Sequence, residues 1–254
     1  MKKLIVCDFD GTLYKKENKR EFENVLKTIE KSGENGILFA VATGRPLFLI
    51  KEFLKSVYKD IFVISCDGAL ITKDDKTLYS CPIDSKTVCT AAENADYGFA
   101  ACTKLLAYIK SAGKSVEKQL FEQLEAHVLP FEDFSSEDEI YKMFFIENPR
   151  KKQKNTEIIK NFPFVLKSTY MKNGIFEFSS PKADKANAAE FLMQMCGVSR
   201  ENVFVFGNGD NDLSLFKRFE NSYADIASPP QIKHSATHIF DSIQTEIEKI
   251  ISYR

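Results

Sequence analysis

Leu4-Ile5-Val6-Cys7-Asp8-Phe9-Asp10-Gly11-Thr12 decides how the rest of the chain is read. A short apolar run, rich in β-formers, meets two acids one residue apart and then a glycine. Such a run, bounded by turn residues, reads as a buried strand. In open α/β sheets, ligands bind beyond the carboxyl ends of the strands, which is where Asp8 and Asp10 stand. One carboxylate there can attack phosphorus. Its neighbour can protonate a leaving oxygen and later activate water. Together they can hold a hard cation such as Mg²⁺. Gly11 permits a tight turn and exposes backbone N–H groups to an anion. Asp and Gly are also ordinary turn residues, so this segment alone leaves a plain strand-ending turn as the competing reading.

Outward from this strand, residues 18–31 carry a helical stripe of Phe22, Val25, Leu26 and Ile29, closed by Gly33. Residues 37–42 read as a second apolar strand, followed by Thr43-Gly44-Arg45-Pro46. Pro46 suits the first turn of a helix running through Phe48, Leu49, Phe53 and Leu54. Residues 61–65 form a third strand ending at Cys66-Asp67-Gly68-Ala69. Nearly unbroken apolar strands alternating with helices imply a parallel sheet covered on both faces.

From about residue 84 to 178 the texture changes. Helix-like stretches (86–94 and 116–124) mix with strand-like ones (141–146, 164–168 and 175–178), punctuated by turns at 147–149 and 172–174. After Pro181 the α/β rhythm returns. Residues 185–196 are helical and end at Gly197, residues 202–206 are a strand, Gly207-Asn208-Gly209-Asp210-Asn211-Asp212 follows, and a helix starts at Leu213. The predicted fold is α/β: a Rossmann-like, doubly wound parallel sheet from residues 1–83 and 181–254, with an inserted α+β domain over 84–180.

The formal net charge of −1 over 254 residues gives no field of one sign to attract nucleic acid or an acidic membrane. None of the six cysteines forms a CxxC pair, which argues against a zinc site, and buried free thiols suit a reducing compartment. No apolar run approaches the ~20 residues needed to span a bilayer. The N-terminal apolar stretch is too short for a signal peptide. A cytoplasmic protein, monomer or homodimer, is expected. His127, His234 and His238 show no pattern that suggests catalysis or metal binding.

Three further segments have functional readings beside ordinary ones. Thr43-Gly44-Arg45 precedes a helix N-terminus, a natural phosphate seat, although Thr43 would also serve as a plain N-cap. Lys185 opens a helix, and a lone lysine is usually a solvated surface residue. Gly207 to Asp212 offers oxygen ligands beside glycines, and its ordinary reading is an exposed loop.

In this order, each at a strand end or a helix start, the four segments resemble the haloacid dehalogenase (HAD) superfamily over nearly the whole chain. The insert resembles the α/β (type IIB) cap of the Cof-like sugar-phosphatase subfamily, and Asp67-Gly68-Ala69 resembles that subfamily's Asn-Gly-Ala turn. The resemblance implies a Mg²⁺-dependent phosphatase acting on small phosphorylated metabolites, sugar phosphates first, through an aspartyl phosphate. It implies Asp8 as nucleophile and metal ligand, and Asp10 as general acid/base with its carbonyl on the metal. Thr43 and Gly44 would bind the transferring phosphoryl group and Lys185 would neutralise its charge. In the loop at 207–212, Asn208 and Asp212 would be metal ligands and Asn211 would face substrate. The cap would close over the core and exclude water.

Two departures from the family pattern stand out. Its metal loop usually reads Gly-Asp-Gly-x-Asn-Asp, whereas this chain has Asn208 at the second position. An amide offers a carbonyl oxygen but no negative charge, so weaker metal binding is expected. Downstream, Ala227-Ser228-Pro229-Pro230 replaces a Gly-Asn-Ala turn. Two other functions stay open. Phosphomannomutases share the cap type, but the insert holds few arginines, with Arg150 the clearest. Alternatively, Asn208 marks a weakened enzyme that binds a phosphorylated ligand without turnover.

Overall fold

The computed structural model describes residues 2–54, 56–95, 97–124, 127–146, 167–171 and 174–252. In chain order it begins β1 (Lys3–Asp8), α1 (Lys19–Glu34), β2 (Ile37–Ala42), α2 (Leu47–Lys51), β3 (Phe62–Ser65), β4 (Leu70–Lys73), β5 (Lys76–Ser80). It continues α3 (Ser85–Asn94), β6 (Gly98–Cys102), β7 (Ala107–Ser111), α4 (Lys114–Gln123), β8 (Val128–Pro130), β9 (Lys142–Ile146), β10 (Lys167–Met171), β11 (Ile175–Ser179). It ends with α5 (Lys185–Cys196), β12 (Val203–Gly207), α6 (Leu213–Arg218), β13 (Asn221–Asp225), α7 (Pro230–Ser235), β14 (His238–Phe240) and α8 (Ile243–Ser252). Among the described residues no helix is long and apolar enough to cross a membrane.

The chain divides into two compact units. The first comprises residues 1–44, 54–79 and 184–254. Its eight-stranded sheet runs β14-β13-β12-β1-β2-β3-β4-β5. The pairs from β14 to β3 are parallel, and β4 turns back antiparallel on β3. Parallel strands need a cover on each face, and the pattern of β1 shows why they get one. Leu4, Val6, Ala40, Ala42, Val203 and Val205 pack on one face with Ala186, Ala189 and Leu192 of α5. Ile5 and Cys7, on the other face of β1, are equally buried. Alternation along a strand delivers both sets. Helix α1 buries Phe22, Val25 and Ile29, and Asn18 caps it by accepting the Glu21 N–H.

The second unit comprises residues 45–53 and 80–183. Its six-stranded sheet runs β10-β11-β9-β6-β7-β8, antiparallel except for β7 with β8. One face packs Phe99, Met143, Phe145 and Phe178 against Val88, Ala91 and Ala92 of α3. The other packs Ala100, Cys102, Phe144 and Ile146 with Phe48 and Leu49 of α2 and Val116 of α4. Lys142 sits buried in this sheet, paired with Glu177 at 2.5 Å.

Some local expectations change. The helix after Pro46 is five residues long, and turns replace its expected continuation through Phe53 and Leu54. Residues 45–53, which the sequence pattern assigns to the first region, group with the second unit. The strand expected at 164–168 is β10, which begins at Lys167; 164–166 lie outside the described residues, as do Arg150, the turn at 147–149, and Lys172 and Asn173.

Candidate active site

The register brings the sequence motifs to one end of three adjacent strands. In β1, Asp8 pairs with Ala42 of β2, so Thr43 leaves the sheet beside it. On the other side Cys7 pairs with Phe206 of β12, so Gly207 and its loop leave there. The chain after Asp8 makes a tight excursion. The Leu13 N–H donates to the Asp8 carbonyl at 3.2 Å, the Tyr14 N–H to Phe9 at 2.8 Å, and the Gly11 N–H to Tyr14 at 2.9 Å. Gly11 holds φ +82° in this turn, and a Cβ there would lie 2.2 Å from the Asn208 amide.

Lys185 is the first residue of α5, a position where a cation opposes the helix dipole. Its contacts account for the placement. The side chain is 1% exposed, and its Nζ donates to Asp8 Oδ1 at 2.6 Å and to Asp212 Oδ1 at 2.7 Å. Burial alone would lower the lysine pKa, but Asp212 and Asp8 outweigh it and push it upward, so the ammonium stays charged. Asp8 is also buried. Desolvation and then the Asp212 charge raise its carboxyl, Lys185 opposes them, and the balance leaves it pushed up to about 7. Two buried carboxylates thus share one ammonium, and one negative charge is left uncompensated.

Asp212 is fully committed. Its Oδ1 takes the lysine, while Oδ2 accepts the N–H of Asn208 at 2.9 Å and of Gly209 at 3.0 Å. It clamps its own loop, and a place on a metal would require it to release one of these bonds. Gly207 makes the clamp possible, since a Cβ there would lie 2.5 Å from the Asp212 side chain.

Asn208 reaches the turn after β1. One end of the Asn208 side chain lies 3.1 Å from Asp8 Oδ2, 3.1 Å from the Asp10 carbonyl oxygen and 3.3 Å from Thr12 Oγ. Thr12, buried at 2% exposure, belongs to this cluster, although the sequence pattern assigns it no role. Asp10 itself is exposed.

The remaining pieces line the same rim. Thr43 is buried, its N–H donates to the Ile64 carbonyl, and its carbonyl accepts the Asp67 N–H at 3.0 Å. Asn211 reaches Asp67 Oδ1 at 3.4 Å, and Asp67 adds to the field that holds Lys185 charged. In the sequence, Asp67 too reads only as part of a turn. The turn carries Cys66 at φ 51°, Asp67 at φ 56° and Gly68 at φ 102°. A Cβ on Gly68 would lie 2.4 Å from the carbonyl oxygen of Asp184. Asp184 is the N-cap of α5, accepting the N–H groups of Ala186 and Asn187. Gly68→Ala should therefore cost roughly 2 kcal/mol or more in chemical denaturation, and a change within ~0.5 kcal/mol would show that this contact yields freely. Downstream, the Pro229-Pro230 pair starts α7, with Pro230 at its first position.

Among the described residues no group of three His, Cys, Asp or Glu side chains forms a metal site. The oxygen set that does converge is mixed: the Asp8 carboxylate, the Asp10 carbonyl and the end of Asn208. Such a set, with an uncompensated buried charge beside it, suits a hard divalent cation.

Residues 5–246 match the haloacid dehalogenase-like hydrolase family. The chain is 23% identical over 235 residues to 5-amino-6-(5-phospho-D-ribitylamino)uracil phosphatase YbjI of Escherichia coli, covering 87% of this chain and 84% of that one. A haloacid dehalogenase-like hydrolase from Bacteroides thetaiotaomicron superposes with TM-score 0.81 at 20% identity, over 98% of this chain and 100% of that one. A HAD subclass IIB sugar phosphatase superposes with TM-score 0.73 at 18% identity, over 97% of this chain and 98% of that one. The chain belongs to the haloacid dehalogenase-like hydrolases.

Proposed function

We propose that the protein is a Mg²⁺-dependent phosphomonoester phosphatase working through a phosphoryl-aspartate at Asp8. The observation that carries this reading is the buried Asp8 carboxylate held at 2.6 Å by the Lys185 ammonium, at the end of a central strand. An oxygen of Asp8 forms a bond to phosphorus while the ester P–O bond breaks. Asp10, exposed two residues on, gives its proton to the leaving alkoxide. Asp10 then takes a proton from a water that attacks phosphorus, and the P–O bond to Asp8 breaks to release phosphate. Thr43, the Gly44 backbone and Asn211 seat the phosphoryl oxygens, and Lys185 offsets the charge gathering on them. Asp8, the Asp10 carbonyl and the Asn208 side-chain oxygen would hold Mg²⁺, with Asp212 available only on loss of a loop bond. When bound, the ion neutralises the carboxylate–phosphate repulsion.

The substrate class we infer is a phosphomonoester of a polyhydroxylated carbon chain. The relative named for a phosphoribityl compound and the neighbour named as a sugar phosphatase both support it. A panel of sugar phosphates, sugar-alcohol phosphates and 5-amino-6-(5-phospho-D-ribitylamino)uracil, assayed for phosphate release with Mg²⁺ and with EDTA, tests both parts. The expected result is Mg²⁺-dependent release, with kcat/KM for one polyol phosphate at least about 100-fold above that for a simple alkyl phosphate. Equal rates across the panel would contradict the substrate class, and full activity in EDTA would contradict the metal.

A further inference from the structure

We infer that Lys15 and Asp225 form a positioning pair that holds the turn bearing Asp10 against the end of β13 and acts on catalysis only through the backbone of that turn. This rests on the reading of Asp10 as the general acid/base. Asp225 is the last residue of β13 and is 1% exposed. It is itself firmly placed. Its backbone pairs with Phe240 of β14, its Oδ1 accepts the Ala227 N–H at 2.8 Å, and its carbonyl accepts the Ser228 N–H at 2.9 Å. Its other oxygen, Oδ2, takes no aligned hydrogen bond among the described residues, and the Lys15 ammonium lies 2.7 Å from it. A carboxylate held out of water needs a counter-charge, so Lys15 is tied to its place as a solvated surface lysine is not.

Lys15 follows directly on the turn after β1. Asp10 bridges to Tyr14 through the backbone, the Gly11 N–H donates to the Tyr14 carbonyl at 2.9 Å, and the Tyr14 ring stacks on Phe9 at 5.3 Å. Tyr14 is therefore the backbone partner of Asp10, and Lys15 anchors the residue next to it. The sheet order explains the reach. Cys7 of β1 pairs with Phe206 of β12, and Phe206 with Tyr223 of β13, so Asp225 stands two residues beyond the row of Cys7. Lys15 thus crosses the end of β12, where the 207–212 loop begins, to reach β13. The turn is fixed at its start by β1 and at its far side by β13. The pair also gives a role to the segment in which Ala227-Ser228-Pro229-Pro230 departs from the family pattern, because the Ala227 N–H sets the Asp225 carboxylate.

The test compares leaving groups. A general acid matters most for an alkoxide and least for 4-nitrophenolate, which departs without a proton. Lys15→Met, Asp225→Asn and the double variant, each as the full chain, are assayed with Mg²⁺ on 4-nitrophenyl phosphate and on the sugar phosphate that the parent hydrolyses fastest. The expected result is a fall of at least about tenfold in kcat/KM for the sugar phosphate in each variant, with kcat/KM for 4-nitrophenyl phosphate kept within about threefold of the parent. The double variant, which leaves neither charge unpaired, should fall no further than the worse of the single ones. Equal losses on both substrates would make the pair a general support of the fold and overturn the inference. Parent rates on the sugar phosphate in the double variant would overturn it too. Asp10→Asn is the control, and it should show the same selective loss on a larger scale. If it does not, the assignment of Asp10 as the acid fails and the positioning role falls with it. If it does while the pair variants keep parent rates, the positioning role alone fails.

Discussion

Asp8→Asn should abolish turnover, by at least about a thousandfold in kcat, and leave a folded protein that is more stable than the parent at pH 8 in EDTA. The activity loss follows from chemistry: an amide oxygen is a poor nucleophile toward phosphorus. The stability gain follows from the sign of the pKa shift. Asp8 is raised from 3.8 to about 7, first by desolvation and then by Asp212. A raised carboxyl binds its proton more tightly in the folded state than in the unfolded chain. Its stabilising contribution is complete below about pH 3.8 and is lost as pH rises through about 7. At pH 8 the parent carries the full cost of the buried charge, and the asparagine variant does not. Lys185 keeps Asp212 as its partner at 2.7 Å, so the substitution leaves no orphaned ammonium. Urea melts at pH 5 and pH 8 check this. The variant's advantage should shrink toward pH 5, and an advantage that grows there would reverse the assigned sign.

Lys185→Met should be the most damaging single change to stability among the site residues. It removes the one ammonium that sits between Asp8 and Asp212 while leaving both carboxylates buried. Breaking a buried ion pair from one side costs about 3–5 kcal/mol, because the remaining carboxylates are left buried without a counter-charge. Methionine conserves most of the packing, which separates charge from volume. A loss of about 100-fold or more in kcat should accompany it, since the positive charge beside the transferring phosphoryl group is gone. Chemical denaturation and steady-state kinetics measure both effects. A variant within ~1 kcal/mol of the parent would mean the triad carries little of the fold's stability.

Legibility in the residues differs from element to element. The end of β1 is legible because an apolar run striking Asp-x-Asp-Gly sets two carboxylates and a tight turn at the mouth of a buried strand. Lys185 is weaker alone; its signal is a cation at a helix start, against the dipole, and its place among the other motifs makes it a candidate. Strands β6 (Gly-Phe-Ala-Ala-Cys) and β13 (Asn-Ser-Tyr-Ala-Asp) give no strand signal, because neither carries β-branched residues and neighbouring strands create their environment. The helix after Pro46 reads longer than it is, since Phe53 and Leu54 continue the apolar pattern into turns that tertiary packing shapes. The clamp role of Asp212 rests on its own loop and on Lys185, 27 residues away, whereas the part played by Thr12 and the approach of Asn208 to Asp8 depend on contacts between segments about 200 residues apart. No local pattern encodes them.

The covalent step can be caught directly. Rapid mixing of enzyme with a turned-over phosphomonoester, quenching in acid, reduction with tritiated borohydride and peptide mapping would locate any acyl phosphate, because reduction converts a phosphorylated aspartate to homoserine. We expect the label at position 8 alone, and none when Asp8→Asn is treated in the same way. Phosphate release in the same reaction with no label at position 8, or with label on another carboxylate, would contradict the assignment of Asp8 as the group that carries the phosphoryl.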